Sequence, residues 1–465
     1  MESSSKQLNI SKLKLGGILV TLGVVYGDIG TSPLYVMKSI LLGNGGLEHV
    51  SENFILGTLS LVFWTLTVLT TIKYVLITLK ADNNGEGGIF SLFTLVRSRS
   101  KWLIIPAMIG GSALLADGML TPAVTVTSAI EGLTLVPVMN DYFGNNQGNI
   151  VILVIAIICI LFFIQHIGTE FIGRLFGPIM LVWFLTLAIF GIVNMAGNLS
   201  LLRALSPHYA IEILFSKDNK QGFFILGSIF LCSTGAEALY SDLGHVGKKN
   251  IYLTWPLVKL CLLLNYFGQG AWILSAKNDP SLSAAGHLNP FYQMIPHGFM
   301  IYGIVISTLA AIIASQALIS GSFTLVSEAI KLNLFPRLHT RYPSRLKGQL
   351  YIPAVNWILC IICIGVVLYF QSSERMEAAY GLAITVTMMM TTILLFNYMC
   401  KKKTPIVLAS IMLVFFMSFE FSFFIANIVK FFHGGFVAII IAVSILFVMY
   451  LWLSLIHISE PTRMQ

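Results

Sequence analysis

The chain has 465 residues, of which 56% are hydrophobic and 10% are charged, and its mean hydropathy is +0.85. Soluble proteins carry about 25% charged residues, so this composition excludes a soluble globular protein. The formal net charge of +8 could suggest a nucleic-acid partner, but no basic domain with groove-reading or aromatic elements accompanies it.

Long apolar segments follow one another along the whole chain. A helix that crosses the hydrocarbon core of a bilayer needs about 20 predominantly apolar residues. Twelve segments meet this condition: 16–42, 54–79, 103–135, 150–167, 175–197, 222–246, 252–274, 299–331, 352–370, 377–399, 405–429 and 433–455. The sequence therefore predicts an all-α polytopic membrane protein.

The positive charges of the loops predict the orientation of these spans. If both termini are cytoplasmic, the outer loops hold six basic residues: Arg203, Lys217, Lys220, Lys277, Arg375 and Lys430. Three more, Lys38, Lys73 and Lys259, lie in or near spans, and the remaining 19 of the 28 fall on the inside. Because Lys and Arg accumulate in cytoplasmic loops, we expect both ends of the chain to be cytoplasmic.

The first span is interrupted by the sequence Gly27-Asp28-Ile29-Gly30-Thr31-Ser32-Pro33. An acid at bilayer depth costs roughly 2.5–3.5 kcal/mol on insertion scales and usually marks an ion, substrate or proton site. Glycines and a proline predict a broken helix, and transporters hold ions at such breaks. The alternative is a kinked helix in which Asp28 pairs with a structural lysine, Lys38 or Lys73.

The third span carries Asp117 one helical turn before Thr121. Thr121, Thr125 and Ser128 follow at spacings that place them on one helix face. Such a face can present hydroxyl oxygens to a central cation. Packing of hydroxyl groups between helices is the alternative explanation for the threonines.

The sixth span contains Glu237 and Asp242 among small and hydroxyl residues. Spans one and six are five apart, which is the spacing of an inverted repeat of five plus five helices with a broken helix leading each half. Asp28, Asp117 and Glu237 together exceed the one negative charge that a bound monovalent cation requires. The surplus indicates that some of these acids are protonated, which favours proton-coupled transport.

Other chemistries find little support in the sequence. Cys360 and Cys363 have CxxC spacing but lie inside a span without further ligands. The glycine-rich segment 82–88 lacks the Lys-Ser/Thr of a P-loop. No nucleophile–base pair is recognisable, so no enzyme activity and no cofactor are predicted. Glu420, in span eleven, is interpreted as structural.

Several long motifs of this chain resemble those of the KUP/HAK/KT potassium uptake permeases. They are GVVYGDIGTSPLY at 23–35, KADNNGEGG at 80–88, IGGS at 109–112, TP at 121–122, SAIEG at 128–132, TGAEALY at 234–240, LNYFGQGA at 264–271, IASQA at 313–317 and AYGLAIT at 379–385. They occur in order and extend from about residue 15 to about residue 455.

This resemblance implies secondary active uptake of K⁺ with H⁺ across the cell membrane. It implies the LeuT-like fold of the amino acid–polyamine–cation superfamily. Asp28, Asp117 and Glu237 match important membrane acids of that family, with Asp28 as the charge partner of K⁺ and all three as proton-coupling candidates. Tyr35, Thr121, Thr125, Thr234 and Tyr380 are then further candidates for the K⁺ pocket.

The domain organisation predicted from these features has four parts. A cytoplasmic N-terminus (1–15) precedes a transport core of ten helices (16–399) and two further helices (400–455). Residues 456–465 turn abruptly polar and are expected to be a non-native tail that replaces the family's C-terminal cytosolic domain. The expected partners are potassium ions, protons and the lipid bilayer, and the resemblance is compatible with a homodimer.

Two other functions remain open at this stage. A cation-coupled polyamine or amine transporter of the same fold would also use an acid at the break, whereas an amino acid carboxylate would be repelled by it. A passive potassium channel would need no buried acids beyond the one that compensates the charge of the bound ion. Competition by polyamines and dependence on a pH gradient would separate these functions from K⁺:H⁺ symport.

Overall fold

The structure is a computed structural model that describes residues 15–144, 146–167, 170–277, 288–342 and 350–463. The predicted N-terminal segment therefore lies almost entirely outside the described residues. Within the described ranges the secondary structure is helical, apart from two isolated β-bridges. The prediction of an all-α protein is confirmed.

Twenty α-helical segments make up the described part of the chain. They are α1 (Leu15–Val25), α2 (Gly27–Thr31), α3 (Val36–Gly43), α4 (Glu52–Thr65), α5 (Ile89–Val96), α6 (Ile104–Ile130), α7 (Pro137–Phe143), α8 (Gln147–Ile164), α9 (Glu170–Met195), α10 (Pro207–Phe215), α11 (Leu226–Ile229), α12 (Ala236–Ser241), α13 (Leu243–Val246), α14 (Lys248–Ala276), α15 (Pro290–Gln293), α16 (Met300–Lys331), α17 (Pro353–Phe370), α18 (Ser373–Lys401), α19 (Ile406–Ile428) and α20 (Gly435–Arg463). A π-helix, Leu66–Ile77, continues α4.

Eleven helical segments among the described residues are long and apolar enough to cross a membrane. A further pair, Gly16–Val25 and Gly27–Gly43, passes the same test jointly but is bent by 68°. With this pair as one span the number reaches twelve, which agrees with the sequence-based prediction.

The bend in the first span lies at Tyr26, between α1 and α2. A short 3₁₀ segment, Ser32–Leu34, then interrupts the helix again before α3. Pro33 cannot donate a backbone hydrogen bond, which explains a change of helix type there. Gly27 packs directly against α16, since a Cβ at this position would lie 2.7 Å from the Ala314 Cα. The predicted break in span one is therefore present, as short helical pieces.

The sixth span is broken between its two halves. A 3₁₀ segment, Phe230–Ser233, ends at Thr234, whose ψ of 146° is extended. Gly235 then has a left-handed φ of 86°, a conformation that costs a non-glycine residue roughly 1–2 kcal/mol. Helix α12, which carries Glu237, begins directly after this glycine.

Helix α6 runs through the centre of the bundle and packs against α16, α18 and α20. Its side chains from Gly110 to Ile130 are buried without interruption. Polar side chains at bilayer depth almost always face the interior of a bundle. The central position of α6 therefore explains why it can carry Asp117 and five hydroxyl residues.

Two glycines bring α9 and α14 into backbone contact. A Cβ at Gly268 would lie 2.6 Å from the Gly191 Cα, and one at Gly191 would lie 2.3 Å from the Leu264 carbonyl oxygen. Asn265 also donates to the Leu187 carbonyl oxygen across this contact, at 3.1 Å. Small residues allow such close approach of membrane helices.

Loops predicted to share one side of the membrane contact one another. At the predicted inner end, Lys248 pairs with Asp82 at 3.1 Å and Lys401 donates to the Leu95 carbonyl oxygen at 2.6 Å. At the predicted outer end, Ser51 donates to Asp218 at 2.7 Å. These three contacts agree with the predicted assignment of the loops to two opposite ends of the bundle.

Helices α19 and α20 lie at the periphery of the bundle. In the most apolar 18-residue stretch of each helix, only 28% of α19 and 17% of α20 is buried. The corresponding value for the span that contains α6 is 83%. Their exposed side chains are large and apolar, among them Val407, Val414 and Val443. This surface fits contact with lipid acyl chains.

Candidate ion-binding site

Asp28 lies on α2, directly after the bend of the first span, and its side chain is 4% exposed. The Tyr380 hydroxyl, on α18, donates to Asp28 Oδ1 at 2.9 Å. Trp183 on α9 donates its indole N–H to the Gly30 carbonyl oxygen at 2.9 Å, which ties the broken segment to the bundle. Two of the predicted ion-binding residues, Asp28 and Tyr380, are thus in direct contact.

A cluster of hydroxyl groups joins the two helix breaks. The Tyr35 hydroxyl lies 3.3 Å from Thr234 Oγ1, and Ser32 Oγ lies at the same distance from Thr234. Tyr35 also donates to Ser32 at 3.4 Å. The structure therefore brings Tyr35 and Thr234 together, as the sequence-based hypothesis of a shared pocket requires.

Helix α6 adds a second carboxyl group beside this cluster. Thr121 Oγ1 donates to the Asp117 carbonyl oxygen at 3.0 Å and lies 3.3 Å from Oδ1 of the same residue. Thr121 also interacts with Tyr380, and Asp117 is within electrostatic range of Asp28. Thr125 is buried, and its hydroxyl donates to the Thr121 carbonyl oxygen at 2.8 Å. Thr125 therefore lies one helical turn beyond Thr121, and its hydroxyl proton is used within its own helix.

Glu237, the third predicted acid, is 2% exposed and accepts a hydrogen bond from Tyr74 on the π-helix. The other carboxyl oxygen, Oε2, lacks a partner in hydrogen-bond geometry among the described residues, although the carboxyl also interacts with the buried Thr391 hydroxyl. Sequence reasoning missed Tyr74. A tyrosine in an apolar span is unremarkable in one sequence, and its proximity to Glu237 depends on the tertiary packing of spans two and six.

The two lysines considered as partners of Asp28 have other partners. Lys38 pairs with Glu131 at 2.8 Å. Lys73 is fully buried and pairs with Glu420 of α19. The structural role expected for Glu420 therefore takes the form of a buried ion pair, and the hypothesis of a lysine-paired Asp28 finds no support in this arrangement.

A small pocket lies on one side of Asp28, with Val25, Gly118, Ala238 and Leu318 among its lining residues. It extends between α1, α6, α12 and α16 to Asp242 and Gly321, which lie toward the predicted inner end. Asp28 and Asp242 are the two acidic residues that line this space. The pocket therefore joins the surroundings of Asp28 to those of Asp242.

An ion-pair cluster lies toward the predicted outer end of α3 and α6, on the other side of Asp28 from the pocket. Besides Lys38, Glu131 accepts from the Ser373 hydroxyl at 2.5 Å and from the Ser373 backbone N–H at 2.8 Å. Glu377 lies within electrostatic range of this pair and of Lys430. Burial lowers the pKa of Lys430 to about 8, although the nearby Glu377 acts in the opposite direction. We call Lys38, Glu131 and Ser373 the outer cluster.

The donor atoms around Asp28 are oxygens from carboxyl and hydroxyl groups. Oxygen donors with little net charge suit a monovalent cation. No group of three or more His, Cys, Asp and Glu side chains that could hold a metal ion occurs in the described ranges. The oxygens around Asp28 can therefore stabilise a cation electrostatically, and the carboxyl groups among them can take up or release protons.

A helical bundle of up to twelve candidate spans, with a buried acid at a helix break beside a pocket, is typical of membrane transport proteins. The family model for the integral membrane domain of K⁺ potassium transporters matches residues 15–455. The chain belongs to this family. It is therefore a transport protein and not an enzyme.

Curated relatives agree with this membership. A probable potassium transport system protein Kup of Clostridium perfringens is 70% identical over 450 residues, which is 97% of this chain and 68% of that protein. Proteins with the same name from Enterococcus faecalis and Latilactobacillus sakei are 59% and 58% identical, over 98% and 97% of this chain and 68% and 66% of their own.

Among solved structures, a mutant of the Eremococcus coleocola manganese transporter matches 98% of this chain and 96% of its own. The identity is 12% and the TM-score is 0.46.

Proposed function

We propose that this protein takes up K⁺ together with H⁺ across the cell membrane. The observation that carries the proposal is the buried Asp28 carboxyl at the helix break, which lines the pocket and is held by Tyr380. The hydroxyl cluster of Tyr35, Ser32 and Thr234 lies at the same break. Membership of a potassium transporter family supports K⁺ as the cation, and the curated relatives are named for potassium transport.

The number of buried acids supports proton coupling. Asp28, Asp117 and Glu237 are each less than 5% exposed, and Asp117 lies within electrostatic range of both others. A single monovalent cation compensates about one of these charges, and the low dielectric of the interior makes further uncompensated charge expensive. Binding of K⁺ at Asp28 and proton exchange at Asp117 and Glu237 would resolve this conflict.

The asymmetry around Asp28 supports alternating access over a continuous pore. The pocket extends from Asp28 toward Asp242 at the predicted inner end, while the ion-paired outer cluster lies on the other side. In our proposal this is an inward-facing state, and both termini are cytoplasmic. The breaks at Tyr26 and Gly235 lead two halves of five spans, which supports a five-plus-five inverted repeat.

The decisive experiment is rubidium uptake into proteoliposomes with and without a pH gradient. We expect wild-type uptake to be driven by an inward proton gradient, and Asp28→Asn to abolish it. Intact uptake in Asp28→Asn would refute the role of Asp28. Uptake that runs passively down the rubidium gradient, with no response to pH, would identify a channel.

The same preparation separates the other candidate substrate class. A polyamine transporter would show competition of rubidium uptake by spermidine or putrescine at micromolar concentrations. We expect no competition at these concentrations, because the donor set at Asp28 provides one carboxyl for one compact charge.

A further inference from the structure

A continuous hydrogen-bonded chain connects Glu237 with Glu420 through the π-helix. Tyr74 donates to Glu237, Lys73 Nζ donates to the Tyr74 hydroxyl at 3.1 Å, and Lys73 pairs with Glu420. Thr392 of α18 completes the chain by donating to Glu420 Oε2 at 2.8 Å. Lys73, Tyr74 and Glu420 are fully buried.

The geometry of Lys73 fixes the direction of every proton in this chain. An ammonium group has three donors and no acceptor. Its three acceptors here are Glu420, the Tyr74 hydroxyl and the Met388 carbonyl oxygen, the last at 2.9 Å. Because the Tyr74 oxygen accepts from Lys73, its own single proton is free to point to Glu237. The carboxyl of Glu237 is thereby held as an acceptor at Oε1, which leaves Oε2 as the oxygen that can take up a proton.

The backbone supports this arrangement independently of the side chains. Lys73 and Tyr74 lie in the twelve-residue π-helix Leu66–Ile77. Stretches of π-helix are rare and occur frequently at functional sites. The wider turn lets two consecutive residues point into the bundle interior, one toward α19 and one toward α12.

We propose that Lys73 and Glu420 are positioning residues of the proton-coupling site, acting on Glu237 through the Tyr74 hydroxyl. This inference rests on the proposed function, in which Glu237 exchanges a proton. It gives α19, outside the ten predicted core helices, a direct role in coupling. Glu420 keeps Lys73 charged and in place, and Lys73 keeps the Tyr74 proton directed at Glu237.

Other ionisable groups face Glu237 from the surrounding helices. They are Asp117 on α6, Tyr240 on α12, Lys73 and Tyr74 on the π-helix, and Glu420 on α19. Lys73 contributes the positive charge within this set. Loss of that charge makes Glu237 bind its proton more tightly, while loss of the Glu420 carboxylate leaves the positive charge uncompensated and has the opposite effect.

The test is the pH dependence of rubidium uptake in proteoliposomes of the full chain. For Lys73→Met we expect the midpoint pH to move up by roughly one unit, the size of effect that one charge at short range produces in a protein. For Glu420→Gln we expect a downward shift. Tyr74→Phe keeps both charges and nearly the same volume, and its loss of one donor to Glu237 should also move the midpoint up.

Lys259→Met is the matched control, since Lys259 contacts Thr67 and the Phe63 ring outside this chain of hydrogen bonds.

A merely structural ion pair would lower protein yield or maximal rate and leave the midpoint where it is. Wild-type midpoints in Lys73→Met, Glu420→Gln and Tyr74→Phe would therefore overturn the inference. If the variants with changed charge fail to fold, the midpoint of Tyr74→Phe decides alone. A wild-type protein whose uptake ignores pH would instead refute the proposed proton coupling itself, so the two failures are distinguishable.

Discussion

At the scale of single residues, the Tyr380 hydroxyl fixes the position of the Asp28 carboxyl. The bond joins α18 to α2, 352 residues apart in sequence. A hydrogen bond to a charged group contributes about 1.5–3 kcal/mol. A cation ligand that is held in place by this bond needs less reorganisation when the ion arrives.

We predict that Tyr380→Phe raises the KM for rubidium roughly 10-fold or more, which corresponds to the loss of that hydrogen bond. The maximal rate should change less than the KM. Concentration-dependent uptake in proteoliposomes measures both. Tyr26→Phe is the matched control, because the Tyr26 hydroxyl bonds to Thr254 and the Ile251 carbonyl oxygen of α14. An equal effect of both substitutions would contradict a specific role of Tyr380.

The residues that sequence reasoning could identify share one property. Acids and clustered hydroxyl groups inside apolar spans are rare and expensive, so Asp28, Asp117 and Glu237 are conspicuous without a structure. Lys73 was also visible, but its partner was not. Any of several buried acids could have compensated it, and only packing selects Glu420, 347 residues away.

At the scale of single elements, the break in the sixth span depends on Gly235. Its φ of 86° favours glycine, and a Cβ there would lie 2.8 Å from the Ile29 backbone nitrogen and 3.1 Å from Asp28 Oδ2. The two broken spans therefore meet backbone against backbone at this point. A side chain would separate them and displace the carboxyl of Asp28.

We predict that Gly235→Ala abolishes rubidium uptake and lowers the melting temperature in detergent. The left-handed conformation alone costs roughly 1–2 kcal/mol for alanine, before the steric overlap is counted. Gly365→Ala is the matched control, because no atom lies within 4 Å of a Cβ at that helical position. There we expect unchanged uptake and an equal or higher melting temperature. Active Gly235→Ala protein would show that the break tolerates a side chain.

The helices and their breaks were largely predictable, whereas the form of the breaks was not. Apolar length marks each span, and Gly27, Pro33 and Gly235 are known helix interrupters. The π-helix Leu66–Ile77 has no comparable signal. Its residues would suit an ordinary α-helix, so the widened turn reflects the contacts of Lys73 and Tyr74 with neighbouring spans.

At the scale of the whole molecule, the proposed inward-facing state depends on the outer cluster staying closed. Lys38 and Glu131 are largely buried, so removing one partner leaves a charge with reduced compensation. Breaking a buried pair costs more than removing both partners. The closed outer end should therefore depend on the pair as a unit.

We predict that Lys38→Met and Glu131→Gln each reduce thermal stability and uptake more than the double variant does. The coupling energy in this cycle should be about 1–3 kcal/mol. The exposed pair Arg203–Glu52 supplies the control cycle with Arg203→Met and Glu52→Gln, where solvent screening should leave little coupling. Additive effects at Lys38 and Glu131 would contradict a joint role in closing the outer end.

We also predict that a cysteine at Gly321 reacts with a membrane-impermeant maleimide from the cytoplasmic side. Gly321 lines the pocket, and its nearest non-local atom to a Cβ is Asp242 Oδ1 at 3.9 Å, so a thiol fits. The background would lack the six native cysteines. Leu199→Cys, at the exposed opposite end, is the control and should react from outside. Labelling of Gly321→Cys only from outside would reverse the proposed orientation.

The contact between Gly191 and Gly268 limits how any transport cycle can proceed. Where main chains touch without intervening side chains, the two helices cannot slide past each other by side-chain rearrangement. Helices α9 and α14 should therefore travel as one rigid unit. Spin labels placed on these two helices would report the same separation with and without potassium. That constant distance would be the reference against which movements of α2, α12 and α18 are measured.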